Sequence, residues 1–128
     1  MSVEAFLFRG YTGSQFIYGE TILFREVDNQ WTMLVENELG EEWVCIDKPY
    51  RPSGISDFDG KAIYEGDIVV FESFGPGDTR DGFKGVVVFE DCKFWCENKE
   101  KQMAYPLFTE CQEWRILGNI VENAELIK

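Results

Sequence analysis

The side chains that could carry chemistry here are carboxylates and thiols, because the 128-residue chain contains no histidine. Glu65 and Asp67 sit two apart, Glu90 and Asp91 are adjacent, and Asp57 and Asp59 lie a few residues upstream. Paired carboxylates can act as general acid and base when their environments separate their pKa values. With 24 acidic residues in the chain, such pairs arise readily without that purpose. The missing imidazole removes Ser-His and Cys-His nucleophile arrangements. Gly75-Pro76-Gly77-Asp78 lacks the lysine of a phosphate-binding loop, and no helix follows it. Asp57-Phe58-Asp59-Gly60 has glycine at the fourth position, where a calcium loop of the EF-hand type needs it at the sixth. It reads as a tight turn. No catalytic residue is assigned, the chain is expected not to be an enzyme, and no cofactor or metal is expected.

The four cysteines are Cys45, Cys92, Cys96 and Cys111. Cys92-Lys93-Phe94-Trp95-Cys96 places three residues between sulfurs, whereas zinc knuckles use two and pair with a second knuckle or with histidine. A strand explains the segment better. At period two, Cys92, Phe94 and Cys96 share one side, and Lys93, Trp95 and Glu97 the other.

The elements that must position these groups read as strands. Ala5–Phe8 is an aromatic-rich run ended by Gly10, and Phe16–Tyr18 precedes Gly19. Thr21–Phe24 and Trp31–Val35 flank Asp28-Asn29-Gln30, residues suited to a turn. Glu38–Glu41 is the next turn and Trp43–Ile46 the next strand. Residues 48–62 read as a connector punctuated by Pro49, Pro52, Gly54 and Gly60. Gly66-Asp67 opens the strand Ile68–Phe71, the glycine supplying backbone freedom and the aspartate bonding turn amides. Residues 72–84 form a loop. Gly85–Phe89 returns, Glu90-Asp91 turns into Cys92–Cys96, and Asn98–Lys101 is a polar turn. Met103–Phe108, broken by Pro106, belongs at an edge. Glu113–Ile120 is the last strand, where Gly118 allows a bend or a close approach. Asn123 caps a single helical turn. Tyr64 and Ile120 are expected in the core. Short strands with turns at intervals of about ten residues indicate an all-β barrel or roll.

The net charge of -12 argues against binding a phosphate backbone or an anionic membrane. The charge reads as spread over both parts of the chain, a self-repelling surface. No leader resembling a secretion signal and no apolar run long enough to span a bilayer is present, so a cytoplasmic location is expected.

The run Ser56–Val69, containing Ile63-Tyr64-Glu65-Gly66-Asp67-Ile68-Val69, resembles the signature of the YopX family of phage and prophage proteins. The closing run Leu117-Gly118-Asn119-Ile120-Val121-Glu122-Asn123-Ala124-Glu125-Leu126-Ile127 is similar to that family's second signature. The N-terminal fit is looser, with Phe8-Arg9 echoing the family's opening strand. The resemblance implies a small N-terminal antiparallel β-rich region, residues 1–53, followed by an SH3-like β-barrel or roll, residues 54–128. It lends no activity and no catalytic residue. The expected role is protein interaction or assembly with an unknown host or phage protein, and possible homo-oligomerisation. The 72–84 loop, with Phe74 and Phe83, and the aromatics Trp95 and Trp114 are the candidate contact surface. The alternative is an acidic DNA mimic that inhibits a host DNA-binding or defence protein.

Overall fold

In the computed structural model, residues 7–72, 77, 80–107 and 113–127 are described. They form twelve strands in four antiparallel sheets, and among them there is no α-helix. β1 (Phe8–Tyr11) pairs with β2 (Phe16–Gly19) as a two-stranded hairpin. β3 (Ile22–Arg25), β4 (Gln30–Asn37) and β5 (Gly40–Ile46) make a three-stranded sheet with β4 central. β6 (Pro52–Ser56) pairs with β7 (Ala62–Tyr64). β8 (Asp67–Phe71), β9 (Lys84–Glu90), β10 (Lys93–Asn98), β11 (Met103–Pro106) and β12 (Trp114–Asn119) make a five-stranded sheet in the order β11-β10-β9-β8-β12. That sheet is open, with β11 and β12 as its outer strands, so the closed barrel expected from the short strands is not drawn by its hydrogen bonds. Pro106 ends the outer strand β11, a position that forfeits little pairing.

The turns follow local chemistry. Asn29 links β3 to β4 at φ 56°, and Gly60 closes the Asp57–Gly60 turn at φ 84°. Gly66 turns the chain into β8 at φ 91°. The β9–β10 turn falls one residue later than Glu90-Asp91. Asp91 and Cys92 both take positive φ, 52° and 62°, so Cys92 is an exposed turn residue rather than part of a strand face. Phe94 and Cys96 do point inward together.

Two elements differ further from the sequence reading. The 48–62 connector contains β6, whose pairing with β7 slips between Pro52 and Ser56 to accommodate Gly54 at φ 82°. The first strand runs through Gly10 instead of ending there. A Cβ at Gly10 would lie 2.5 Å from Ile46, so glycine allows the hairpin to press onto the three-stranded sheet.

One apolar core joins Ile63, Val69, Phe71, Phe83, Val87, Phe94, Cys96, Leu107 and Trp114. Phe83 and Trp114, expected at a contact surface, are core residues: Phe83 packs edge-on against Tyr105, and Trp114 against Phe71. Trp95 is half-buried, its Nε1 donating to Glu90 O at 3.0 Å. Phe74 lies outside the described residues, as does Cys111. Ile120 is 37% exposed and does not join the core, whereas Tyr64 is fully buried.

Candidate functional site

The residues best placed to be functional gather where the β1–β2 hairpin meets the turn into β8. Arg9 is the second residue of β1, held by reciprocal backbone hydrogen bonds with Tyr50. An arginine inside an aromatic strand must either reach water or find a buried anion. Arg9 finds one: its Nη2 donates to Asp67 Oδ1, both side chains being almost fully buried. The guanidinium lies against the rings of Phe16 (4.4 Å) and Tyr64 (4.7 Å), and further from Tyr50 (6.0 Å). Aromatic faces attract such a cation, more so when water is excluded. Its Nε is buried without a hydrogen-bond partner among the described residues.

Asp67 has a second task. Its Oδ2 accepts the Tyr64 N–H at 2.7 Å across the Gly66 turn, the turn bond expected from the sequence. Burial pushes its carboxyl above the usual range; Arg9 and the Tyr64 N–H pull against that, and burial prevails. The Tyr64 hydroxyl donates to Leu7 O at 2.6 Å, a second tie from the turn to the first strand. Burial and the carboxylate of Asp47 raise the pKa of Tyr50, whose hydroxyl donates to Asp47 Oδ2 at 2.7 Å.

A cleft of about 590 Å³ opens beside this pair, lined among others by Arg9, Phe16, Tyr18, Lys61 and Leu117. Arg9 and Asp67 neutralise each other at its floor. The other carboxylates singled out in the sequence do not converge on it as an acid–base pair. Asp57 Oδ1 accepts the N–H groups of Asp59 and Lys61, and its Oδ2 accepts that of Ile116. It therefore pins its own turn to β12. Glu65 faces Arg51 at 3.7 Å. Glu90 and Asp91 stand at an exposed hairpin end. Among the described residues no group of three or more His, Cys, Asp or Glu could hold a metal ion.

The closing signature also has a structural reading. Register slips in β12 between Ile116 and Gly118. A Cβ at Gly118 would lie 2.5 Å from Asn123 Oδ1, so the close neighbour is a side chain. Asn123 Oδ1 accepts the Asn119 N–H at 3.2 Å, reaching back to β12 instead of capping the 3-10 turn Ala124–Ile127. Asn119 Oδ1 in turn accepts the N–H groups of Val121 and Glu122.

A second surface differs in kind. The face of the three-stranded sheet that carries Met33 and Ile46 packs inward against Gly19 and Gly10. By the alternation of side chains, Leu23, Leu34, Trp43 and Cys45 share the opposite face. There Leu23 is 49% and Trp43 50% exposed. The acidic charge is also concentrated on this sheet, contrary to the even spread read from the two parts of the chain. Glu20, Glu26, Asp28, Glu36, Glu38, Glu41 and Glu42 stand against one base, Arg25, itself paired with Asp28 at 2.6 Å.

Four small antiparallel sheets, with a buried arginine–aspartate pair tying the first strand to the β8 turn, define a mainly β protein. The chain belongs to the YopX family, whose model, described as YopX protein, matches residues 7–128. It is similar in structure to the crystallographic YopX protein of Bacillus subtilis, with a TM-score of 0.61 and 18% sequence identity over 95% of this chain and 98% of that one. At that identity the likeness establishes the fold alone. No curated protein matches the chain. No helix among the described residues is long and apolar enough to cross a membrane.

Proposed function

We propose that this chain is a non-enzymatic protein-interaction or assembly protein that acts in the cytoplasm of a host cell. The observation that carries the reading is the outer face of the three-stranded sheet, where Leu23 and Trp43 are each about half exposed side by side with Leu34. Clustered apolar side chains on a sheet face are the usual ground for a protein contact. Asp57 and Asp67, by contrast, are engaged in a turn and in a buried ion pair. Residues 54–128 are proposed to form an SH3-like roll; support comes from the consecutive order β8-β9-β10-β11 wrapped on one apolar core.

The test is affinity capture from host lysate with the wild type and with Leu23→Glu/Trp43→Glu. A partner held by the wild type and lost by the variant is expected, with both proteins folded by circular dichroism. An identical set of partners for the two proteins refutes the reading.

A further inference from the structure

The strand β5 presents an open edge. Its register with β4 is regular from Trp31/Ile46 to Asn37/Gly40. Asp47 N, one residue past the strand, donates outward to Tyr11 O at 2.9 Å. Backbone groups alternate sides along a strand, so the N–H and C=O groups of Glu41, Trp43 and Cys45 also face away from β4. The chain thus uses one end of this edge for itself, at Tyr11, and among the described residues no strand pairs with the rest. Gly40 to Trp43 and Cys45 are exposed. The strand contains no proline, lysine or bulge, the common means of blocking an edge.

What the edge does contain sets the partner. Glu41 lies directly opposite Glu36 on β4, a like-charge pair that weakens the ladder until a cation comes between them. On the far side of β4 from this edge, a groove of about 450 Å³ is lined by Leu7, Tyr18 and Leu34 together with Glu20, Glu36 and Glu41, and by no base, so the acidic field extends across the sheet. A second copy of this chain added at the edge brings a strand with two glutamates and no base against another of the same charge, which repels. A cationic strand is attracted. Along β5, Glu41 and Glu42 face opposite sides of the sheet, and so do Trp43 and Val44. A paired strand therefore meets an acid on each face and then an apolar residue on each face.

We propose that the β5 edge accepts, as a fourth strand, an extended segment of a partner protein in which two successive Lys or Arg residues adjoin two apolar ones. This inference rests on the protein-interaction reading and names its surface, mode and partner chemistry. Main-chain bonds to Glu41, Trp43 and Cys45 hold the strand, and side chains select it.

The probe is the blocked peptide Thr-Val-Val-Lys-Lys-Val-Val-Thr, which reads alike in both directions, with Glu in place of Lys as control. It is titrated into the full 15N-labelled chain. The expected result is saturable shifts and slowed hydrogen exchange at the amides of Glu41, Trp43 and Cys45, weakening as salt is added. Glu41→Lys/Glu42→Lys, exposed substitutions compatible with the fold, should lose at least about tenfold in affinity for the lysine peptide and gain affinity for the control. The proposal is overturned by affinity weaker than about 1 mM, or by binding that leaves those three amides exchanging freely. It is equally overturned by a dimer of the chain that protects them. Capture abolished by Leu23→Glu/Trp43→Glu while the edge amides stay unprotected defeats strand addition and leaves the interaction reading standing. Capture unaffected by that variant defeats the reading itself.

Discussion

Replacing Asp67 with Asn keeps the shape of the side chain and an acceptor for the Tyr64 N–H, and removes the charge that faces Arg9. Arg9 then remains buried among Phe16, Tyr50 and Tyr64 with no anion. Breaking a buried pair from one side costs about 3–5 kcal/mol. Asp67→Ala also strands the Tyr64 N–H, for about 1–3 kcal/mol more. A chain of this size has roughly 5–15 kcal/mol of stability in all, so Asp67→Ala leaves it marginal. Arg9→Met acts differently, because the carboxylate left behind can protonate. In the native protein the Asp67 pKa is already raised from 3.8, chiefly by burial and against the pull of Arg9. Without Arg9 it rises further. A carboxyl raised in the folded state contributes stability in full below its unfolded pKa and loses it as pH climbs through the folded value. The deficit of Arg9→Met against wild type is therefore smallest near pH 4 and grows toward pH 7. Urea unfolding followed by tryptophan fluorescence at several pH values measures it. The double variant Arg9→Met/Asp67→Ala should cost less than the sum of its parts by about 2 kcal/mol. A cost under about 1 kcal/mol for Asp67→Asn, or a deficit of Arg9→Met that does not change with pH, refutes the reasoning.

Other outcomes follow from the packing. Gly85→Ala places a Cβ 2.6 Å from Glu97 O and 2.8 Å from Cys96 Sγ, and should lower stability by about 1–3 kcal/mol in the same urea assay. Burial pushes the Cys96 thiol up to about 12, so a thiol reagent followed by peptide mapping should label Cys45 and Cys92 in the native protein and Cys96 only on unfolding. Tyr64→Phe removes the hydroxyl bond to Leu7 O and should cost about 1 kcal/mol, with faster exchange of β1 amides.

Turn chemistry was the most legible part of the chain. Asn29, Gly60 and Gly66 take positive φ where the sequence predicts turns, since the reason lies within a few residues. Family membership was legible for the same reason, resting on two local runs. The Arg9–Asp67 pair was not, because its partners are 58 residues apart and no short pattern joins them. A signal existed in each half: an arginine within the aromatic strand Phe8–Tyr11, and an aspartate opening the apolar strand Asp67–Phe71. Each is a charge in a setting that must bury it, and together they imply each other. Phe83 and Trp114 read as surface residues because an aromatic near a loop looks the same in sequence whether it turns in or out. Both turn in, onto Tyr105 and Phe71. Cys92 left the strand face because the β9–β10 hairpin uses Asp91 and Cys92 as its two corner residues. The clustering of acids on the three-stranded sheet is not visible in the chain's linear charge, because it arises from strands and turns that only the fold brings onto one sheet.

The 58-residue reach from Arg9 to Asp67 also sets an order on synthesis. A ribosome adding about 5–20 residues per second needs roughly 3 to 12 s to make the second partner after the first. Through that interval β1 and β2 can pair with each other, yet the arginine has only water and Phe16 for company. The hairpin can be locked down only after the turn at Gly66 has left the exit tunnel. In the nascent chain, residue 9 waits for residue 67, so the strand that is made first is fastened only after half of the chain has followed it.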